Sequence, residues 1–325
     1  MRTVRKPLRA LAAVSVLGLV VAGCSSQGGA QDEGAPAATE EYTIAMVTHE
    51  APGDTFWDKI RNGAEAAAAN HNITLNYSAD PDAGRQATLV QNAIDSEVDG
   101  LAVTLPTPDA IGPAAQSAVD AGIPVVAFNA GGDQYADYGI SMYFGSNEDL
   151  AGQAVGAQLA ETGSTGKTIC VIQEQGQVQL ETRCAGVAKT YPDTEILYVN
   201  GRDLPSVQQT IGAKLQQDPS VTAIVALGAD IALAAQQSKE DAGNEAAIAT
   251  FDLNQDVAQQ IQDGGIAFSV DQQPFVQGYM AVTSLWLNIT NGNDIGGGGP
   301  VLTGPSIVDS SNIDAILPFT ENNTR

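Results

Sequence analysis

The sequence predicts an α/β protein with two similar lobes, each a doubly wound, Rossmann-like parallel sheet covered by helices. Three observations support this prediction. The chain of 325 residues is longer than one hydrophobic core usually serves. From Tyr42 onward, short apolar runs rich in β-branched residues alternate with alanine-rich amphipathic stretches, as in βαβ units. A pair of strands that begin 24 residues apart occurs twice, and the second pair follows the first by 123 residues.

The predicted strands are short and lack polar alternation, which is expected where helices cover both faces of a sheet. They are Thr43–Thr48, Ile73–Ser78, Gly100–Leu105, Pro124–Phe128, Ile140–Phe144, Thr168–Gln173, Ile196–Asn200, Ala223–Leu227, Ala247–Phe251, Ile266–Val270 and a late run near Val301–Val308. Amphipathic patterns between them predict helices, among them Phe56–Asn70, Arg85–Ser96, Asp109–Ala121 and Val207–Gln217.

The internal repeat also makes a prediction about function. It aligns the strand that begins at Asp99 with the one that begins at Thr222. The same shift carries Asn129 onto Asp252, and each of these residues follows a Phe at the end of a strand. We therefore predict that the two lobes present a planar polar side chain at the same local position.

Composition and motifs exclude several classes of function. Lys and Arg number 14 and Asp and Glu number 38, which gives a net charge of −24. Such a chain lacks the basic surface that binds nucleic acid or anionic lipid. The motifs GxSxG, HExxH, CxxC and GxGxxG do not occur, and Glu161 stands where a P-loop ending at Thr168 would need Gly. With only two His, we predict no metal site, no cofactor and no enzymatic activity.

The first residues are predicted to direct export rather than to fold. Residues 1–23 combine a basic start with the apolar run Leu11–Ala22, which is too short to span a bilayer comfortably. The run ends in Val-Ala-Gly-Cys, which resembles a bacterial lipobox, so we expect a lipid on Cys24; a plain secretory signal is the alternative. Residues 24–41 are rich in Gly, Ala, Gln, Pro and acidic residues and are predicted to be a flexible tether.

The two remaining cysteines, Cys170 and Cys184, are predicted to form a disulfide. An exported protein meets an oxidising environment, which favours a disulfide over a metal site, and inert thiols are the alternative. In the chain-entropy model, a disulfide that closes the loop between Cys170 and Cys184 stabilises the fold by on the order of 3 kcal/mol.

Polar and aromatic side chains collect at the carboxyl ends of the predicted strands, where open parallel sheets bind ligands. Planar amide, carboxylate and guanidinium groups can bind two neighbouring hydroxyls, and an aromatic ring can cover the C–H face of a sugar. We therefore predict an uncharged, polyhydroxylated ligand. The candidate ligand-binding residues are Asp54, Phe56, Trp57, Asn129, Glu181, Arg183, Arg202, Asp252 and Gln272.

Several side chains near these strand ends have alternative explanations that involve no ligand: one of the rings of Phe56 and Trp57 could pack into the core, and Asp252 could be a solvated loop acid. Asp54 could only cap the helix that follows it, since an acidic residue there accepts backbone N–H bonds. Arg202 could form a surface ion pair with its neighbour Asp203. His49 is more often a hydrogen-bonded residue at a strand end than a ligand contact.

The chain resembles the type I periplasmic sugar-binding proteins, the ribose-, galactose- and glucose-binding family that serves ABC importers. The resemblance extends from Tyr42 to about Val308 and is most specific at 48–57 (Thr-His-Glu-Ala-Pro-Gly-Asp-Thr-Phe-Trp), 122–129, 249–252 and 271–278. It implies two lobes joined by a three-crossover hinge, with residues 42–145 and 273–302 in one lobe and 146–272 and 303–325 in the other.

The resemblance also implies roles for the candidate residues. Asp54, Phe56, Trp57 and Asn129 would hold the ligand from the first lobe, and Arg202 and Asp252 from the second. Gln272 would contribute an amide near the hinge. Of the pair Glu181 and Arg183, either could reach the ligand, because the family's Arg falls nearest to Glu181.

The function that follows is an extracytoplasmic, lipid-anchored, monomeric receptor. It would capture a monosaccharide or small polyol by hinge closure and deliver it to the membrane permease of an ABC importer. A receptor that presents a sugar or furanone signal to a membrane kinase, without transport, is the alternative, and an amino acid ligand is a weaker one.

Overall fold

The computed structural model describes residues 41–325, which contain two six-stranded sheets and ten α-helices. The predicted export signal, the lipid on Cys24 and the tether up to residue 40 lie outside the described residues. No helix within residues 41–325 is both long and apolar enough to cross a bilayer.

The strands and helices alternate along most of the described chain, as the sequence predicts. The strands are β1 Tyr42–Thr48, β2 Ile73–Ala79, β3 Gly100–Val103, β4 Val125–Phe128, β5 Met142–Gly145, β6 Lys167–Ile172, β7 Thr194–Tyr198, β8 Val221–Ala226, β9 Ala247–Phe251, β10 Phe268–Asp271, β11 Val301–Leu302 and β12 Ser306–Asp309. The helices are α1 Phe56–His71, α2 Ala83–Asp95, α3 Pro108–Asp120, α4 Glu148–Glu161, α5 Val178–Thr190, α6 Leu204–Gln217, α7 Ala229–Ala242, α8 Gln255–Asp263, α9 Pro274–Asn291 and α10 Ile313–Glu321.

The two sheets have the same strand order. The first runs β11-β5-β4-β3-β1-β2 and the second runs β12-β10-β9-β8-β6-β7. Every neighbouring pair is parallel except β10 with β12. The chain passes between the sheets three times, after β5, after β10 and after β11. The predicted fold of two doubly wound lobes with three crossovers is confirmed, and the residue boundaries of the lobes stay a prediction.

The sequence predicts a single strand in the late run near Val301–Val308, but the structure contains two short strands there. The first two residues of the run, Val301–Leu302, pair with β5 in the first sheet, and Ser306–Asp309 pair with β10 in the second. Pro305 separates the two pieces, and a proline has no N–H for a sheet ladder, so the strand ends and the chain changes lobe.

One pair of helices in each lobe packs especially closely, α1 with α9 in the first lobe and α4 with α5 in the second. Glycines at the crossing points allow the close approach. A Cβ at Gly278 would overlap the carbonyl oxygen of Ile60, and one at Gly152 would overlap the carbonyl oxygen of Arg183. These contacts fix the rotation and height of the helices that carry site residues.

A disulfide joins Cys170 on β6 to Cys184 on α5, with the two Cα atoms 5.8 Å apart. Both cysteines are buried in the core that packs α4 and α5 against the second sheet. The predicted pairing is confirmed, and the bond ties helix α5 to its sheet one residue beyond Arg183.

Candidate ligand-binding site

A cavity of about 590 Å³ lies between the lobes, at the carboxyl ends of both sets of strands. Seven of the nine candidate residues line it: Asp54, Phe56, Trp57, Asn129, Arg183, Arg202 and Asp252. Several other polar residues, which are not among the candidates predicted from the sequence, also line it: His49, Gln173, Glu174, Gln177, Gln179 and Asp230. A cavity bounded by both lobes is the arrangement that hinge closure around a ligand requires.

The loop before α1 brings a carboxylate and two aromatic rings to the cavity. The Oδ1 atom of Asp54 accepts the backbone N–H of Phe56 at 3.0 Å, so Asp54 supports the start of α1 and also lines the cavity. The ring of Trp57 is buried and meets the rings of Phe56 and His49 edge to face, at centroid distances of 5.4 and 4.7 Å. Phe56 is half-buried, so its ring offers the more open apolar surface to a ligand.

Asn129 and Asp252 occupy matching positions in the two lobes. Both have left-handed backbone conformations, with φ of 62° and 69°. Each donates its backbone N–H to the neighbouring strand, Asn129 to Phe144 at 2.9 Å and Asp252 to Val270 at 3.0 Å. Asn and Asp tolerate this conformation better than other residues with side chains. The equivalence predicted from the internal repeat is confirmed by this geometry.

The orientation of the Asn129 amide follows from its partner Gln277. The Nε2 atom of Gln277 donates to the carbonyl oxygen of Gln272 and to the hydroxyl of Thr303, both at 3.1 Å. Its Oε1 atom therefore accepts from Nδ2 of Asn129, also at 3.1 Å. The side-chain nitrogen Nδ2 of Asn129 is thus bonded within the protein. The side-chain oxygen Oδ1 of Asn129 is left to accept a hydrogen bond from a ligand.

A buried chain of hydrogen bonds connects Arg183 to Asp252. Arg183 donates from Nε to Glu148 at 2.5 Å and from Nη2 to Oε1 of Gln272 at 2.7 Å. Gln272 in turn donates from Nε2 to Oδ1 of Asp252 at 2.5 Å. The guanidinium also lies 4.6 Å from the centroid of the Phe251 ring. Gln272 therefore lies behind the cavity and orients two residues that line it.

Glu181 is not among the residues that line the cavity. Its carboxylate accepts the backbone N–H of Gly176 at 3.3 Å and the hydroxyl of Tyr198 at 3.0 Å. The structure thus places Arg183, and not Glu181, at the cavity, while the ligand role of each stays a prediction. Glu181 supports the loop between β6 and α5 from outside.

Arg202 lines the cavity from the loop between β7 and α6. Within residues 41–325 it forms no ion pair with Asp203, whose side chain caps α6 by accepting the N–H of Ser206 at 3.1 Å. The surface ion pair considered as the alternative is therefore not formed, and Arg202 is one of the residues that line the cavity.

Three titratable groups of the cavity have strongly shifted pKa values. Burial raises the pKa of Asp252 to about 7, against the opposing effects of Arg183 and Gln272. Asp54 is accessible from the cavity but otherwise surrounded by protein, and this partial loss of hydration raises its pKa to about 6. Burial, with the positive charge of Arg183, lowers the pKa of His49 to about 3, so His49 is neutral.

The two lobes touch each other across the cavity. The Nε2 atom of His49, in the first lobe, lies 3.3 Å from Nε2 of Gln179 in the second lobe. Within the first lobe, Nδ1 of His49 lies 2.8 Å from the hydroxyl of Thr104. The backbone N–H of Val178 donates to the carbonyl oxygen of Pro106 at 3.0 Å. The described conformation is therefore a closed one, and His49 lies between the two lobes.

Comparisons with known proteins agree with this architecture. A family model described as "periplasmic binding protein domain" matches residues 44–294. A carbohydrate transporter of Acidothermus cellulolyticus, solved in complex with myo-inositol, is 55% identical, and the match covers 88% of this chain and 100% of that one with a TM-score of 0.87.

Two further relatives are more distant. The xylose/arabinose-binding protein XylF of Sulfolobus acidocaldarius is 26% identical, over 61% of this chain and 54% of that protein. This chain therefore matches only about half the length of that relative. The ribose import binding protein RbsB of Bacillus subtilis is 25% identical, over 74% of this chain and 80% of that protein.

These relatives are binding and transport proteins, and this chain is likewise not an enzyme. The match to the family model extends over most of both lobes, and the 55% identical relative shares the fold along its whole length. The chain therefore belongs to the periplasmic binding protein domain family, as one of its type I sugar-binding members.

Proposed function

We propose that this protein is a lipid-anchored, extracytoplasmic receptor that captures a cyclic polyol or monosaccharide by closing its lobes and delivers it to an ABC permease. The observation that carries the proposal is the composition of the cavity wall. Matching acceptors, Asn129 and Asp252, face the cavity from opposite lobes, and the aromatic ring of Phe56 lies beside it. Hydroxyl groups of a polyol can donate to these acceptors while an apolar ring face packs on the aromatic ring.

myo-Inositol is the first ligand to test, because the 55% identical relative was solved with it. Its six-membered ring carries a hydroxyl on every carbon, which suits a wall with acceptors on both lobes. A ligand that contacts both lobes only in the closed state shifts the population toward closure. Delivery to a permease, attachment through a lipid on Cys24 and a monomeric state are parts of the same proposal, supported by the resemblance to the sugar-binding receptors of ABC importers.

We expect Asp252→Ala to remove detectable binding of myo-inositol without unfolding the protein. The substitution deletes the second lobe's central acceptor, and a lost charged hydrogen bond costs about 1.5–3 kcal/mol. The closed state would lose affinity for ligand along with that contact. Isothermal calorimetry with myo-inositol, ribose and xylose measures the affinities, and thermal unfolding checks the fold.

Asp241→Ala is the matched control, since Asp241 is exposed on α7 and does not line the cavity. It should bind as the wild type does. Wild-type affinity in the Asp252→Ala variant would contradict the site assignment. Failure of the wild-type protein to bind any of these polyols would contradict the proposed function itself.

A further inference from the structure

We propose that the cavity prefers a polyol that carries a protonated amine, such as an amino-substituted inositol or an amino sugar, with the ammonium held among Asp54, Asp230 and Asp252. The inference rests on the proposed function, because it assumes that the cavity binds a polyol. It goes further in assigning a charge to the ligand and in naming Asp230, on the first turn of α7, as its counter-ion.

The cavity wall carries more negative than positive charge. Four carboxylates line it, those of Asp54, Glu174, Asp230 and Asp252, against the guanidinium groups of Arg183 and Arg202. The charge of Arg183 is already matched by Glu148, at 2.5 Å, and these two side chains are only 3% and 9% exposed. Arg202 and Glu174 interact electrostatically. The charge of Arg183 also acts on Asp252, so Asp54 and Asp230 remain without a cation on the wall.

Lys59 is a further cation whose charge acts on Asp54, Asp230 and Asp252, and one positive charge does not balance three negative ones. Its Nζ atom donates to the carbonyl oxygen of Thr55 at 3.3 Å. Lys59 does not line the cavity, and in the described part of the chain it has no carboxylate within ion-pair distance. One buried lysine faces three aspartates, so the region keeps a net negative charge that a ligand ammonium would balance.

Hydrogen-bonding capacity gives a second, independent indication of the same ligand. Asn129 is not acidic, is only 4% exposed, and uses its amide nitrogen on Gln277, which leaves its oxygen for the cavity. Asp252 is 8% exposed and uses only Oδ1 on Gln272. Asp230 forms no side-chain hydrogen bond to residues 41–325. An ammonium donates up to three hydrogen bonds where a hydroxyl donates one, so it suits a wall of unused acceptors.

The pKa values of the same carboxylates are consistent with the inference. Loss of hydration raises the pKa of Asp54, Asp230 and Asp252, and the negative charges of Glu174 and Asp230 further raise that of Asp54. A bound cation would lower all three pKa values, because an opposite charge nearby favours the ionised form. Because the raised pKa values belong to the closed form, closure around a neutral polyol should make these carboxylates take up protons near pH 6–7, and closure around an amine should make them take up fewer.

The test compares matched ligands by calorimetry at pH 7 and low salt. The ligands are myo-inositol, a panel of monoamino-inositols that differ in the hydroxyl replaced, and the N-acetyl derivative of the best amine. We expect that amine to bind on the order of tenfold tighter than myo-inositol, and the N-acetyl derivative to lose this advantage. Repeating the titrations in buffers of different ionisation enthalpy measures the number of protons taken up or released on binding.

The variant Asp230→Asn should weaken binding of the amine more than binding of myo-inositol, and Asp241→Asn, on the exposed face of the same helix, should preserve the preference. If myo-inositol binds and no amine binds tighter, the inference is wrong and the proposed function stands. If no polyol binds, both are wrong. An undiminished preference in Asp230→Asn would overturn the role of Asp230 as counter-ion.

Discussion

Gln272 never reaches the cavity, yet it determines how two cavity residues are oriented. Its side-chain oxygen accepts from the guanidinium of Arg183 and its side-chain nitrogen donates to the carboxylate of Asp252. Gln272 therefore fixes the orientation of both side chains. Its backbone oxygen also accepts from Gln277, the partner of Asn129. The acceptors that face a ligand from the two lobes are therefore held in place through one buried glutamine at a crossover.

We expect Gln272→Leu to lower ligand affinity by on the order of tenfold or more, together with thermal stability. The substitution leaves Nη2 of Arg183 and Oδ1 of Asp252 buried without partners, and each such group costs about 1–3 kcal/mol. Calorimetry and thermal unfolding measure the two effects. Gln237→Leu, on the exposed face of α7, should change neither. A loss of stability with unchanged affinity would show that Gln272 is only structural.

The sequence was sufficient to predict some site residues and not others, for physical reasons. Asn129 and Asp252 were predictable, because the repeat and the strand ends place them without knowledge of tertiary contacts. Glu181 and Arg183 are two residues apart on one helix, so they point in nearly opposite directions and only one can face the cavity. Which one does so depends on the rotation of α5, and that is set by packing.

The position of helix α5 determines which of Glu181 and Arg183 faces the cavity. The disulfide ties it to β6, and its contact with α4 brings the Gly152 Cα close to the backbone of residues 183–187. The same helix α4 begins with Glu148, the partner of Arg183. A pattern of glycines in two helices does not reveal which backbone approaches which, so the sequence could not predict this pairing.

We expect Gly152→Ala to destabilise the protein and weaken ligand binding together. The new methyl group would overlap the carbonyl oxygen of Arg183, and overpacking of this kind costs about 1–3 kcal/mol. Relief of the overlap requires α5 to move, which displaces the Arg183 side chain from the cavity wall. Thermal unfolding and calorimetry measure the two changes.

Gly212→Ala is the control for the effect of helix propensity. Gly212 lies in α6 with nothing within 4 Å of a Cβ, so alanine there should be neutral or stabilising by up to about 1 kcal/mol. Equal behaviour of the two variants would contradict the role assigned to the α4–α5 contact.

The molecule as a whole works through the approach of its lobes, and His49 lies where they meet. It belongs to the first lobe, bonds Thr104 there, packs against Trp57, and touches Gln179 of the second lobe. The two-lobed architecture could be predicted from strand and helix patterns and the repeat. Contacts between the lobes could not, because they depend on how far the hinge closes and not on any local pattern.

Closure should therefore depend on the protonation of His49. In the closed form its pKa is lowered to about 3, by burial and then by the charge of Arg183, whereas in an open, hydrated cleft it returns toward its ordinary 6.5. Closure thus requires the neutral ring, so it is fully favoured above pH 6.5 and loses up to about tenfold in affinity per pH unit below that value. Asp54 and Asp252 act in the opposite direction, since burial raises their pKa values and closure makes them take up protons.

The variant His49→Asn separates the contribution of the imidazole from that of the carboxylates, because it removes the imidazole and keeps Asp54 and Asp252. We expect the ratio of wild-type to variant affinity for myo-inositol to fall steadily between pH 6.5 and pH 5, measured by calorimetry at constant ionic strength. His71→Asn is the matched control, since His71 is the chain's only other histidine and stacks on Trp286 away from the cavity. Its affinity should follow the wild-type pH profile. A constant ratio for His49→Asn over this range would show that closure does not depend on the charge of His49.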